Sequence, residues 1–424
     1  MRPVTPRGFR DVLFDEAAER GCVTAAVSDS FERYGYRAVE TPAVEEYSTL
    51  ALGAGASLEG TAFRMVDLDG SLLALRPEMT LPIARLAASR LSGEPGPHRL
   101  RYAADVYREQ ASLRGDSRQF TQLGVELLGV NGPASDAEVI CVLVDALAAA
   151  GLGDFTVGIG TVAVLRALIE AAGADSAWAN ALLAAAHSRN LVAFDALAAS
   201  LAVSAGVGEA LRTVVRIAGG REAIAECRMA VGAVGCADAL DSLDATWEIL
   251  EAAGAAGPVR VDFGILRSFD YYTGLIVEAY APGLGVPLGG GGRYDDVLAA
   301  FSAPMPAAGF ALSLERVMIA LAAQGVAVPV RGLDAVVGGA PSVAAREAAR
   351  LRAGGWRVRL SGAGPEALER EARESGAACW YRAGESAAHL VEAAGEIALD
   401  PLPTPPTLAG RGTSSVSTPE RRTR

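Results

Sequence analysis

Lysine is missing altogether: all 38 basic residues are arginine, so every side-chain cation is a guanidinium. Histidine is almost missing. His98, His187 and His389 stand far apart, which does not supply a histidine-based metal site. The five cysteines (Cys22, Cys141, Cys227, Cys236 and Cys379) are scattered, with no Cys-x-x-Cys pair and no metal-ligand spacing. They read as buried free thiols of a reducing compartment. Met1 is not followed by the apolar core of a secretory signal. Alanine-rich stretches such as 142–151 are too short to span a bilayer and read as buried helix. These absences point to a cytoplasmic protein with no metal and no cofactor.

What is present is a chain of 424 residues, 51% hydrophobic, which is enough for two or three domains and a large core. The formal charge of −12 gives no general attraction to a polyanion such as RNA. A helical pattern over 15–34 ends at Gly35. Residues 63–70 read as a strand closed by an Asp-Gly turn, with 71–75 returning. Two further strands, 100–108 and 119–129, flank an arginine-rich loop, and antiparallel pairing fits better than a βαβ repeat. Ser135-Asp136-Ala137-Glu138 reads as a capping box opening a helix to Ala150. Helix then follows helix over about 164–255. Strands return over about 258–325, followed by a helix from Ser313 to Gln324. After a linker at 328–331, residues 333–399 alternate strand and helix as a small α/β unit. Residues 401–424, rich in Pro, Ser, Thr and Arg, read as a disordered tail.

Four segments carry candidate chemistry. In Leu75-Arg76-Pro77-Glu78-Met79-Thr80, Glu78 and Thr80 share a face if the segment is extended, and together could hold an ammonium group. On spacing alone, a solvated acid at a strand end is the simpler reading of Glu78. In the second segment Arg108 ends one strand, and Gln122, Gly124 and Glu126 line one face of the next, opposite apolar Leu123, Val125 and Leu127. That row suits a ligand floor, although an ordinary half-exposed sheet would show the same alternation. The third runs from Asp262 through Arg267, Tyr271 and Tyr272, and is followed by Gly290-Gly291-Gly292-Arg293-Tyr294-Asp295. A guanidinium such as Arg267 binds a carboxylate as a fork, and glycines let a second backbone come close. A structural arginine with core tyrosines is the alternative. The fourth, Gly309 to Arg316, is by itself an ordinary strand-to-helix junction. Gly158-Ile159-Gly160 imitates a dinucleotide-binding turn, but a helical series follows it and no acidic residue closes a next strand. That reading is rejected.

Together these segments are more specific than any one of them. Their order and spacing over residues 5 to about 325 resemble class II synthetases of the histidyl type, and equally the regulatory subunits of ATP phosphoribosyltransferase. Gly8-Phe9-Arg10-Asp11-Val12-Leu13 resembles the N-terminal signature of that group. Residues 31–42 resemble its motif 1, 108–124 its motif 2 and 309–316 its motif 3. The resemblance implies an α+β fold in which an antiparallel sheet is flanked by helices. Residues 1–327 would form the synthetase-like core with a helical insertion at about 164–255, and 333–400 a truncated anticodon-binding-like domain. By the same resemblance Glu78, Thr80 and Gln122 would hold a histidine ammonium. Arg108 and Arg267 would meet a carboxylate or phosphate. Glu126 and Tyr272 would read the imidazole, with Tyr294 lining the pocket.

The ATP side departs from the synthetase pattern. Where synthetases carry Arg-x-Glu-Arg-Pro-Gln, this chain has Arg108-Glu109-Gln110-Ala111-Ser112, and an arginine expected later is Asp116. An acid beside a triphosphate repels where attraction is needed. Met79, and the Ala281-Pro282-Gly283-Leu284-Gly285 run, resemble the regulatory subunits. The implied role is therefore a non-catalytic regulatory subunit that takes L-histidine as effector. It would form a homodimer within a larger hetero-oligomer containing a short-form catalytic chain, with no membrane and no tRNA partner. Active histidyl-tRNA synthetase is the alternative, and a stand-alone histidine-binding paralogue a third. Residues 401–424 have too little apolar content to pack, so a chain ending at Asp400 is expected to keep the full-length Tm in a thermal melt.

Overall fold

The computed structural model describes residues 4–54, 58, 60–109, 117–188, 190–200, 205–232, 237–265, 272–362, 367–391 and 396–399. By its internal contacts the chain forms two units, Met1–Val328 and Pro329–Arg424.

In the first unit, helix α1 (Phe14–Arg33) buries Val23, Val27, Ser30 and Phe31, the four-and-three spacing of a single stripe. Gly35, at φ +79°, ends the turn beyond it. Strands β1 (Arg37–Ala38) and β2 (Val44–Glu46) lead to α2 (Tyr47–Ala54). The hairpin β3 (Arg64–Val66) and β4 (Leu72–Leu75) turns at Gly70, φ +88°, where the Asp-Gly pair predicts it. Helix α3 (Thr80–Leu86) takes Pro82 into its first turn, and Ala87–Leu91 prolongs it as a π-helical turn.

The long strands β5 (His98–Tyr107) and β6 (Gln119–Leu128) pair antiparallel, so the expectation for this region holds. Helix α4 (Pro133–Ala149) then starts earlier than the sequence suggests. Pro133 sits at its first positions behind Gly132, φ +97°. Ser135 and Asp136 therefore lie inside the first turn, and the capping-box reading is wrong. Their side chains serve a distant partner instead.

That partner is Arg293. Strand β7 (Thr156–Thr161) is followed by helices α5 (Val162–Ala172), α6 (Ser176–His187), α7 (Leu191–Ser200) and α8 (Ala205–Val214), then β8 (Ala218–Gly219), α9 (Glu222–Val231) and α10 (Ala237–Ala252). The sheet resumes with β9 (Val259–Asp262), β10 (Leu275–Tyr280) and β11 (Gly289–Arg293), then α11 (Asp295–Ala300), β12 (Ala307–Ser313) and α12 (Leu314–Ala323). Arg293, at the end of β11, is 5% exposed. Its Nε and one terminal nitrogen donate to Asp136 Oδ1 at 3.0 and 2.6 Å, and it also reaches Ser135 Oγ at 2.7 Å. Its other terminal nitrogen reaches Val130 O at 3.3 Å and Asp295 Oδ1 at 3.2 Å. One fully bonded guanidinium thus ties β11 to the starts of α4 and α11.

The nine-stranded sheet runs β1-β5-β6-β12-β11-β10-β7-β9-β8. It is antiparallel except at β1–β5 and β7–β9. The parallel β9 beside β7 was not foreseen, although the dinucleotide reading still fails. Gly158 and Gly160 lie inside β7, where their missing side chains make room for Ile265 and for the Asp262 carbonyl. One side of the sheet packs Leu123, Val125 and Leu127 with residues of α1, α4 and α10. The other packs Tyr102, Leu100, Val106 and Tyr294 with α3 and α11.

The second unit has β13 (Ala335–Gly338), α13 (Pro341–Ala353), β14 (Val358–Leu360), α14 (Leu368–Ser375), β15 (Cys379–Arg382), β16 (Ala387–Leu390) and β17 (Glu396–Ala398). Its sheet order is β14-β13-β15-β16-β17, parallel across β13 and antiparallel beyond β15. Short, alanine-containing β16 and β17 carry little periodicity and escape a reading of the sequence. Among the described residues no helix is long and apolar enough to cross a membrane. Residues 401–424 lie outside the described residues.

Removing the Arg293 charge leaves Asp136 buried without its cation. Arg293→Met is expected to cost about 3–5 kcal/mol in urea unfolding. Replacing both partners with apolar residues should recover much of that loss.

Candidate functional site

Seven of the eight expected site residues come together. Glu78, Thr80, Arg108, Gln122, Glu126, Tyr272 and Tyr294 line a chamber of about 350 Å³ on the α3 side of the sheet. The eighth, Arg267, lies outside the described residues, as do Gln110, Ala111 and Asp116. Strand β6 supplies Gln122 and Glu126 from the face opposite its apolar core residues, as the alternation predicts.

Glu126 is the centre of the chamber and is 2% exposed. Oε1 accepts hydrogen bonds from Thr80 Oγ1 at 2.9 Å and from the Tyr102 hydroxyl at 3.3 Å. Oε2 accepts from the Tyr294 hydroxyl. Burial pushes the carboxyl up to about 8, against the lowering effect of the hydroxyls, and nearby Glu78 adds to the rise. Two glycines make the room. A Cβ on Gly309, the β12 residue opposite Glu126, would overlap its carboxylate. A Cβ on Gly124 would strike the Tyr102 phenol and the Phe310 carbonyl.

Glu78 is not extended. The chain turns there into α3, and the carboxylate accepts from the amides of Thr80 at 2.7 Å and Leu81 at 2.8 Å. The extended reading of 78–80 is corrected accordingly: the two side chains meet in the chamber through a turn, not a shared strand face. Burial also raises the Glu78 pKa, while those amides and Arg108 work against the rise.

Gln122 is oriented by the backbone. Its Oε1 accepts from the Met79 amide at 3.1 Å, which leaves its amide N–H groups and a second Oε1 lone pair for a ligand. Arg108 is steadied by Nε donating to Pro77 O at 2.8 Å and lies over the Phe120 ring. The chamber therefore carries two carboxylates, Glu126 buried and Glu78 half-buried, together with an amide and a guanidinium.

A second chamber of about 610 Å³ shares Arg108, Gln122, Tyr272, Gly290, Gly291 and Ala311 with the first. Its arginines are bonded within the chain. Arg10 pairs with Glu16, and Arg20 with Glu315 at 2.8 Å. Arg316 donates to Pro287 O at 2.8 Å. Arg118 likewise pairs with Glu109 and lies 4.4 Å from the Phe63 ring centroid.

Two residues of the site were missed by reading the sequence. Tyr102 carries no role there, and Gly309 only heads an ordinary strand-to-helix junction. A signal existed for the first: a bulky phenol directly across the ladder from Gly124.

Residues 8–317 match the family model for histidyl-tRNA synthetase. An ATP phosphoribosyltransferase regulatory subunit from Moorella thermoacetica is 42% identical over 315 residues, 74% of this chain and 81% of that protein. Another, from Symbiobacterium thermophilum, is 41% identical over 365 residues, 85% and 91% respectively. A crystal structure described as an ATP phosphoribosyltransferase regulatory subunit/histidyl-tRNA synthetase, from Bacillus halodurans, aligns with a TM-score of 0.79 at 32% identity. That alignment covers 90% of this chain and 98% of the other. The chain belongs to the ATP phosphoribosyltransferase regulatory subunits, built on the histidyl-tRNA synthetase fold.

Proposed function

We propose that the smaller chamber holds L-histidine, and that the chain, without catalysis of its own, makes a separate short-form ATP phosphoribosyltransferase catalytic chain active and histidine-sensitive. The observation that carries the ligand assignment is Glu126, a buried acceptor ringed by Thr80, Tyr102 and Tyr294. An imidazole N–H satisfies such a carboxylate. Glu78 then faces the ammonium, while Arg108 and the Gln122 amide face the carboxylate. Arg267 is assigned to the carboxylate by family resemblance alone.

The larger chamber argues against the synthetase reading. Two of its arginines, Arg10 and Arg20, are neutralised by the chain's own carboxylates, whereas a triphosphate needs cations directed at it. The catalytic partner joins ATP to phosphoribosyl pyrophosphate. Histidine acts by favouring one assembly state over another, with a coupling of about 1–3 kcal/mol in typical systems.

The proton state of Glu126 fixes the pH dependence. With its carboxyl at about 8, Glu126 is mostly protonated at neutral pH. A free imidazole, at about 6.5, is mostly neutral there. The complex then needs no proton from solvent, since one proton is shared between acid and ring. Above about 8 a proton must be recruited, and below about 6.5 one must be expelled. Isothermal titration is expected to give the tightest binding between those values, weakening towards tenfold per pH unit outside them. Affinity that climbs steadily to high pH would contradict the shared proton. Glu126→Ala is expected to weaken binding by about 1–3 kcal/mol.

The regulatory assignment has its own test. The purified chain should give no histidine-dependent pyrophosphate exchange and no tRNA charging. Added to the short catalytic chain, it should raise phosphoribosyl transfer and make it histidine-sensitive. Aminoacylation at ordinary synthetase rates would restore the synthetase alternative.

A further inference from the structure

Tyr102 stands in the middle of β5, opposite Gly124, and is 2% exposed. The hydrophobic cluster it belongs to on that side of the sheet includes Met79, Leu81, Leu100, Val106 and Leu128. Phenylalanine would fill such a place without burying a hydroxyl, which is costly unless bonded. The hydroxyl is 3.3 Å from Glu126 Oε1, the oxygen that also receives Thr80. Gly124 has to be a glycine for the phenol to lie across β6 and reach it.

We propose that Tyr102 is a specificity-determining positioning residue: its hydroxyl keeps Glu126 Oε1 an acceptor, so that the chamber favours ring ligands that bring an N–H. This rests on the histidine assignment above. Thr80 alone would leave Oε1 with one donor and freer to rotate. Thr80 and Tyr102 together fix the carboxylate plane from α3 and β5, while Tyr294 holds Oε2 from beyond β11. The other charged or titratable groups lining the chamber are Glu78 ahead of α3, Arg108 past β5 and Tyr272 ahead of β10. None of these three donates a hydrogen bond to Glu126 among those described. Removing the Tyr102 hydroxyl should therefore act on the proton affinity of Glu126 and on ring selectivity, and not merely on packing.

The test has a liganded and an unliganded arm. In the first, histidine and β-(2-thienyl)alanine, whose ring has the same outline but no N–H, are titrated into the wild-type chain and Tyr102→Phe across pH. The preference for histidine should shrink about tenfold in the variant. The upper limb of the histidine affinity profile should move to higher pH, with the lower limb, set by the free imidazole, in place. A structural role alone would weaken both ligands together and leave both limbs where they were, which would overturn the proposal.

The second arm separates this inference from the histidine assignment. Thermal unfolding without ligand is followed across pH for the wild-type chain and Glu126→Gln, then for the same pair carrying Tyr102→Phe. Glu126 binds its proton more tightly folded than unfolded, so its burial destabilises the fold increasingly as pH rises from about 4.5 to about 8. Glu126→Gln should gain stability over that window, and Tyr102→Phe should move the window's upper edge, which the folded state sets, to higher pH. If wild-type protein binds no histidine but the window still moves, the functional assignment fails while the control of Glu126 by Tyr102 stands. A window that does not move overturns the role of Tyr102. Should Tyr102→Phe fail to fold, 3,5-difluorotyrosine at position 102 keeps the shape and strengthens the donor. Both the window and the upper limb should then move to lower pH, and their remaining in place would overturn the proposal.

Discussion

A carboxylate placed inside a β-sheet core is the constraint around which this molecule is arranged. Glu126 has hydroxyls and no cation within hydrogen-bonding reach among the described residues, so burial holds its proton far above the normal range. Such a group would be excluded from a core selected for stability alone. Its tolerance depends on glycines in β6 and β12 that leave it space, and on three hydroxyls converging from α3, β5 and the end of β11. The strain of the site is thus electrostatic rather than conformational.

The second arrangement that matters is how the positive charge is used. The fold gathers arginines around two joined chambers, yet Arg10 and Arg20 are engaged with Glu16 and Glu315, and Arg118 with Glu109. Arg293 is consumed in fastening β11 to the starts of α4 and α11. What a ligand meets in the smaller chamber is mostly acid and amide. The geometry suits holding a small amphoteric molecule better than stabilising a highly charged transition state.

The row Gln122, Gly124, Glu126 was legible in the sequence because its alternation is local and its opposite face is plainly apolar. The β5–β6 pair that holds it was legible as two strand patterns flanking an arginine-rich loop, and the β3–β4 hairpin of the separate three-stranded sheet from the Asp-Gly turn at Gly70. Ser135 and Asp136 were misread because a capping box is a local pattern, whereas their partner Arg293 is more than 150 positions away in sequence. Glu78 and Thr80 share a face only if the segment is extended, and nothing in Arg-Pro-Glu-Met-Thr announces the turn that Glu78 itself stabilises by accepting two amides. Tyr102 was missed because a phenol in an apolar strand looks like packing until its partner across the ladder is known.

The chain leaves the sheet at the end of β7, passes through α5 to α8, touches the sheet edge at the two-residue β8, and after α9 and α10 returns at β9, the hydrogen-bonded neighbour of both β7 and β8. Two parallel neighbours cannot be joined by a tight turn; they need a crossover of at least a dozen residues. The helical block is therefore an enlarged version of a link the sheet requires anyway. It can be trimmed but not erased. Arg166, in α5, donates to the Tyr272 carbonyl at 2.7 Å, so the part nearest β7 also braces a wall of the chamber. A miniaturised form of this protein could discard most of the block and lose only the edge strand β8 from its sheet, provided one helix and that arginine stay.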